Sequence, residues 1–432
     1  MRIRALVFGT LIGMVAFALL AVTAWGAEGD LLWQVQIDKF GGNDNINGAA
    51  AADNRVFIAG DTRDPSRPHP VPGVIGNSDF FVQAYSASTG ALLWEDIVVT
   101  AGSDDGASAV VADGERVFVG GDSSSGGGNF DFLIRAYDAT TGTILWQDKV
   151  ATGSEFGLVR KLALQSGRLF AISANGLVRV YEAITGTLVW ADKINNESSF
   201  GFVGRDLAVD KKRVFAVGRL DNFGTGNPDF LVRAYDADTG DVLWESRVDQ
   251  GADDNAVAVA SQSEKVFVAG ATNRDFLVRG YQAGKGFLQW ENRIGQNSLA
   301  NAIVADDNRV FVGGLIDEAP HTLILRAYKA ANGAPLWENQ IEDGFSDSNY
   351  LAAIKGRLFA VGLIETGNGP TDFRYFVRAY DSKTGTLHWS NQENGFLHAL
   401  AVDDQERFFA AGFVVNALGN ADGLLRAYDA RP

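Results

Sequence analysis

The chain has 432 residues, with 53 acidic against 37 basic side chains and a formal net charge of −16. That acidity argues against a nucleic-acid footprint and against electrostatic docking on an anionic membrane. The absence of cysteine excludes disulfides, a lipid-bearing N-terminal cysteine (so the protein is not a lipoprotein), covalent haem and thiolate metal sites.

Residues 1–27 carry Arg2 and Arg4, then an apolar run, then small residues ahead of Glu28-Gly29-Asp30. This is the pattern of a secretory signal peptide, with cleavage expected after Ala24, Gly26 or Ala27. The run from Ala5 to Trp25 is also long enough to remain as an uncleaved anchor. The expectation is a periplasmic or secreted protein that does not insert in the membrane once the signal is removed. Residues 28–432 read as a single domain, because one repeat fills them without a linker.

The first landmark after the leader is Trp33. Beyond it, a tyrosine near the end of an apolar strand is followed nine residues later by a tryptophan: Tyr85/Trp94, Tyr137/Trp146, Tyr181/Trp190, Tyr235/Trp244, Tyr281/Trp290, Tyr328/Trp337 and Tyr380/Trp389. An eighth tyrosine, Tyr428, has no tryptophan after it, and Trp33 has no tyrosine before it. The two ends complement each other, as a closed ring of eight units requires and an open solenoid does not.

Residues 200–248 show one unit. Strand A covers Asp206–Val209 and strand B is RVFAVG from Arg213. A long loop leads to strand C, DFLVRAYDA, and a tight turn at Asp238-Thr239-Gly240 leads to strand D, DVLWESRV. Alternation along strand C places Phe230, Val232 and Ala234 on one face and Leu231, Arg233 and Tyr235 on the other. The strand B signature recurs eight times, from RVFIAG at Arg55 to RFFAAG at Arg407. A glycine lies five residues after the tyrosine in seven units, supplying the positive φ of the C–D turn. The predicted fold is an all-β, eight-bladed β-propeller of four-stranded antiparallel blades, its ring closed by the N-terminal strand completing the C-terminal blade. The variable D–A and B–C connections emerge on the same face, which is where recognition is expected.

Polar features follow in chain order. Asp61–Ser78 holds Pro65, Pro68, Pro70 and Pro72, a composition that favours an extended polyproline arm or a plain insertion. Acidic D–A loops offer Asp104, Asp105, Asp253 and Asp254 as candidate Ca²⁺ ligands, although none has a calcium-loop spacing and turn capping is the alternative. Arg160 and Lys161, with Arg205, open strand A where other blades carry Asn47, Ser108, Val257, Asn301 and Asn349. Two adjacent cationic positions could hold a carboxylate or phosphate, or instead pair locally with Glu155, Glu197 or Asp206. The arginine two residues before most of the tyrosines is structural by its periodicity. His69, His321, His388 and His398 show no metal-ligand or triad spacing.

The segments AYDATTGTILW (Ala136–Trp146) and AYDADTGDVLW (Ala234–Trp244) resemble the tryptophan-docking motif of the pyrroloquinoline-quinone (PQQ) propeller family. Near copies span residues 86–94, 182–190 and 381–389. The resemblance covers the whole chain after the leader and implies the quinoprotein alcohol dehydrogenase-like fold. In it, Trp33, Trp94, Trp146, Trp190, Trp244, Trp290, Trp337 and Trp389 dock between blades. That family includes dehydrogenases that hold PQQ with Ca²⁺, and non-catalytic propellers of outer-membrane assembly. No dehydrogenase catalytic residue maps onto a position here. The expectation is therefore a non-catalytic exported propeller that binds a protein partner in the cell envelope, or a small ligand, on the D–A and B–C face. The alternative is a PQQ/Ca-dependent oxidoreductase of reduced size.

Overall fold

The structure is a computed structural model describing residues 27–431, except 69–74, 101–103, 125–128, 154, 195–200, 222–226, 252, 296, 307, 318–320, 343–349 and 366–372. Residues 1–26, nearly all of the expected signal peptide, lie outside the described residues. So do His69, Glu197 and Asn349.

Eight antiparallel sheets of four strands each run A–B–C–D from the inside of the ring outward. The inner strands are Asp44–Ala52, Asp105–Ala112, Val159–Gln165, Phe202–Val209, Asp254–Gln262, Ser298–Ala305, Tyr350–Ile354 and Phe396–Val402, on blades 1 to 8. Each touches the inner strand of the next blade, and the eighth touches the first, so the ring is closed.

Both faces of the middle strands B and C are buried, as the alternation in strand C requires, while strand D is largely exposed. In blade 4, Leu231 and Tyr235 pack into a core shared with Phe170, Ile172 and Trp190 of blade 3. Phe230, Val232 and Ala234 pack the other way, against Val266, Val268 and Tyr281 of blade 5.

Each docking tryptophan bridges to the following blade. The Trp244 indole donates from Nε1 to the Ala283 carbonyl (2.7 Å) and stacks on Tyr281, with ring centroids 5.8 Å apart. Gly286 in that neighbouring turn has φ +69°, and a Cβ there would lie 2.5 Å from the Trp244 ring. The repeated glycine therefore serves two ends: it permits the turn, and it is the flat surface on which the indole lies. Tyrosine and arginine complete the seam. Tyr235 Oη donates to Asp192 of the preceding blade (2.8 Å), where Arg233 also reaches (3.4 Å).

The closure is as predicted. Leu31–Ile37 pairs antiparallel with Ala421–Asp429, and Trp33 donates to the Ala87 carbonyl of blade 1 (3.0 Å). The missing C–D turn of blade 8 is rebuilt without a covalent link. Gly29 N donates to Asp429 O (2.7 Å) and Asp429 N to Asp30 O (2.9 Å), repeating the bonds that Gly142, Asp138 and Thr143 make within one turn of blade 2. Trp389 lies on Gly29 accordingly, but its Nε1 finds no acceptor among the described residues. The seam next to the chain break is the one where the indole hydrogen bond is lost.

The proline-rich segment is corrected by the structure. Strand B of blade 1 runs through Arg55–Pro68 and pairs with Ile75–Ser86, so both flanks of the loop extend the hairpin and do not form a polyproline arm. An ion pair from Arg67 to the buried Asp79 pins it down. Residues 69–74, the tip, lie outside the described residues.

Candidate binding site at the channel mouth

Strand A of blade 4 begins at Phe202, four residues before its expected start, because it contains a β-bulge. The bulge recurs in seven described inner strands and leaves one residue of each unpaired: Asn47, Ser108, Arg160, Arg205, Val257, Asn301 and His398. An unpaired bulge residue is re-aimed relative to its neighbours. The strand B signature explains why bulges are tolerated here. A Cβ on its terminal glycine would meet a strand A carbonyl: 1.8 Å from Asn45 O at Gly60, and 1.9 Å from Gly106 O at Gly121. The small residue at the end of RVFxxG lets the bulged strand lie close, so a repeated structural glycine sets up a ring of non-repeated side chains.

Four of those side chains, His398, Asn47, Ser108 and Arg160, line a depression of about 470 Å³ on the D–A and B–C face. They come from blades 8, 1, 2 and 3. Two also tie the ring together. Asn47 Nδ2 donates to the Ala107 carbonyl of blade 2 (3.0 Å), and Ser108 Oγ donates to the Val159 carbonyl of blade 3. A second ring lies beside the first, one residue after the strand B glycine. It holds Asp61 in blade 1, Asp122 in blade 2 and Arg219 in blade 4, but Ala271, Leu315 and Phe413 in blades 5, 6 and 8.

The mouth is thus electrically divided. Asp61, Asp104, Asp105 and Asp122 gather on blades 1 and 2. Burial pushes the Asp122 carboxyl up to about 7, helped by Asp105, Asp61 and Asp104 and opposed by Arg160. On the other side, burial lowers the Arg160 pKa, and Asp122 opposes that shift. Arg205 is lowered by burial, then by Arg160 and Arg219, with Asp221 opposing. His398 is lowered by burial, with Asp61 opposing, so its imidazole is neutral at neutral pH.

The sequence candidates separate cleanly. Lys161 pairs with Asp206 (3.6 Å), which also accepts Val259 N (3.0 Å), so its charge is engaged in a local contact. Arg160 and Arg205 have no hydrogen bond or ion pair among the described residues, and Arg205 Nε is enclosed without an acceptor. The aspartates behave as caps. Asp105 accepts Ser124 N (2.8 Å) and Asp104 accepts Ser78 N (2.8 Å). Asp254 is fully buried and takes the Thr272 hydroxyl, Gln250 N (2.7 Å) and Asn273 N (3.2 Å), a pattern repeated by Asp44 with Thr62 and Lys39 N. Asp253 is exposed. The two pairs sit on blades 2 and 5, with two blades between them. Among the described residues no group of three His, Asp or Glu side chains is placed to hold a metal ion.

Three contributors escaped the sequence reading. Asp61 and Asp122 directly follow a signature glycine, so a column alignment on that glycine would have shown them. His398 hides because the A–B turn of blade 8 is one residue longer: the bulge lies nine residues before Arg407 there, but eight before Arg55, Arg116, Arg168 and Arg213.

Comparison with known proteins agrees with the architecture. The family model described as outer membrane protein assembly factor BamB, a PQQ-type repeat domain, matches residues 131–315 and 321–431. BamB from Moraxella catarrhalis is similar in structure, with a TM-score of 0.57 and 15% identity over 93% of this chain and 99% of that one. The computationally designed protein Ika8 is similar to the same degree, with a TM-score of 0.57 and 16% identity over 91% of this chain and 99% of that one. At such identities these likenesses speak for the fold alone. No curated protein matches the sequence. The family match spans well over half of the chain, and the chain belongs to the BamB-type family of PQQ-like propellers.

Proposed function

We propose that the protein is a non-catalytic propeller of the cell envelope that binds a partner protein on the face bearing the channel mouth. The observation that carries this reading is where symmetry fails. The seams repeat from blade to blade, while the bulge ring and the ring beside it change chemistry around the mouth, and a site on a repeat protein must break the repeat. The description of the matching family as an assembly factor supports a protein partner over a metabolite. The signal-peptide pattern expected in residues 1–27 supports export. A photo-crosslinking residue at Leu158, in the mouth, should trap one defined envelope protein in intact cells. The same residue at Thr140, on the opposite C–D turn face, should not. Equal trapping at both positions would remove the mouth from the proposal.

The quinoprotein alternative fits the residues poorly. A Ca²⁺-bridged quinone needs carboxylates placed around one ion, and among the described residues no group of three His, Asp or Glu side chains is so placed. Fluorescence titration with PQQ, with and without Ca²⁺, should show no saturable Ca²⁺-dependent quenching. Binding near one per chain would restore the oxidoreductase reading.

A further inference from the structure

Arg160 and Arg205 make no hydrogen bond or ion pair within the fold among the described residues. They occupy equivalent bulge positions on adjacent blades, each guanidinium lacks a hydrogen-bond acceptor among the described residues, and Arg205 sits in the field of Arg160 and Arg219. Two like charges on neighbouring bulge positions at the mouth, Arg160 exposed and Arg205 half-buried, repel one another unless something negative joins them. Other inner-strand bulge residues, such as Asn47 and Ser108, satisfy themselves on the next blade. From this we infer that Arg160 and Arg205 jointly bind a carboxylate of the ligand that enters the mouth, and that Asp122 gates the site by its protonation.

A carboxylate fits better than a phosphate. Its planar pair of oxygens matches two guanidinium forks, and its single charge is less repelled by Asp61, Asp104 and Asp105 across the depression. Asp122 faces those three aspartates and Arg160, and His398, neutral at neutral pH, faces Asp61. Arg205 faces Arg160, Arg219 and Asp221, and Arg219 is already paired with Asp221 (2.8 Å). When Asp122 is protonated, Arg160 is free for an incoming anion. When Asp122 ionises, it both neutralises Arg160 and repels the ligand. Affinity should therefore fall as pH rises through about 7, where this carboxyl titrates. One linked proton limits the fall to about tenfold per pH unit.

The inference rests on the mouth being the binding face, and the test separates the two ideas. Arginine side-chain NMR signals of the mature protein are followed while adding a capped glutamate–glycine peptide, its glutamine counterpart, or citrate. The glutamate peptide should shift Arg160 and Arg205 saturably, and the glutamine peptide should not. Arg160→Gln and Arg205→Gln should each weaken binding by about tenfold or more, with unchanged melting temperatures showing that the fold is intact. Asp122→Asn should keep tight binding at pH 8 and lose the pH slope. Binding of citrate but not of the peptide would support the carboxylate site and count against a protein partner. Equal response to the glutamine peptide, full affinity in either arginine variant, or no response to any acid would overturn the site. An unchanged slope in Asp122→Asn would overturn the gate.

Discussion

The outer and inner edges of the same blades follow opposite rules. At the outer edge, tryptophan, tyrosine and turn glycine recur at constant spacing, and each indole lies on the next blade's glycine; all but Trp389 also bond a carbonyl through Nε1, as in Trp94 with Ala139 and Trp190 with Ala237. At the inner edge the bulge recurs in seven described strands, yet the residue at it changes from Asn47 to Ser108 to Arg160 to Arg205 to Val257. The contrast shows that repetition of backbone and repetition of side chain are separable. The seams need one chemistry eight times because every seam has one shape. The mouth needs only a common geometry, on which each blade can present a different group.

Breaking the outer layer should have large effects, and breaking the inner one small effects on stability. Deleting residues 424–432 removes most of the strand that pairs with Leu31–Ile37 and one side of the rebuilt turn. Cooperative unfolding should be lost, and an unchanged melting curve would disprove the closure. Trp244→Ala opens a cavity between blades 4 and 5 and leaves the Ala283 carbonyl unbonded, with an expected loss of about 3–5 kcal/mol by denaturant titration. A loss below about 1 kcal/mol would mean that the seam repacks around the gap.

The smallest effect belongs to the mouth. Asp122 has a carboxyl raised to about 7 in the folded chain, above its ordinary value near 4. A raised acid contributes stability that is fully present below the unfolded value and is lost as pH rises through the folded one. Asp122→Asn should therefore melt like the parent near pH 4 and a few degrees above it at pH 8. A difference that stayed constant with pH would mean that Asp122 is not held neutral by its surroundings.

Blade count, strand order, ring closure and the docking tryptophans were all legible in the sequence. They rest on local spacing, nine residues from tyrosine to tryptophan and five from tyrosine to glycine, and a hairpin of fixed length admits one register. Arg160 and Arg205 were also legible as departures from an aligned column. What they face was not. Only the closed ring brings His398 of the last blade beside Asn47 of the first and into one depression with Arg160 of the third. Only three-dimensional packing gave Lys161 an aspartate while leaving Arg160 and Arg205 without one. Local spacing determines how each blade folds, because its hydrogen bonds join near neighbours in the chain. The character of the mouth depends on charges that meet only when eight blades close around one axis, and no single repeat contains that information.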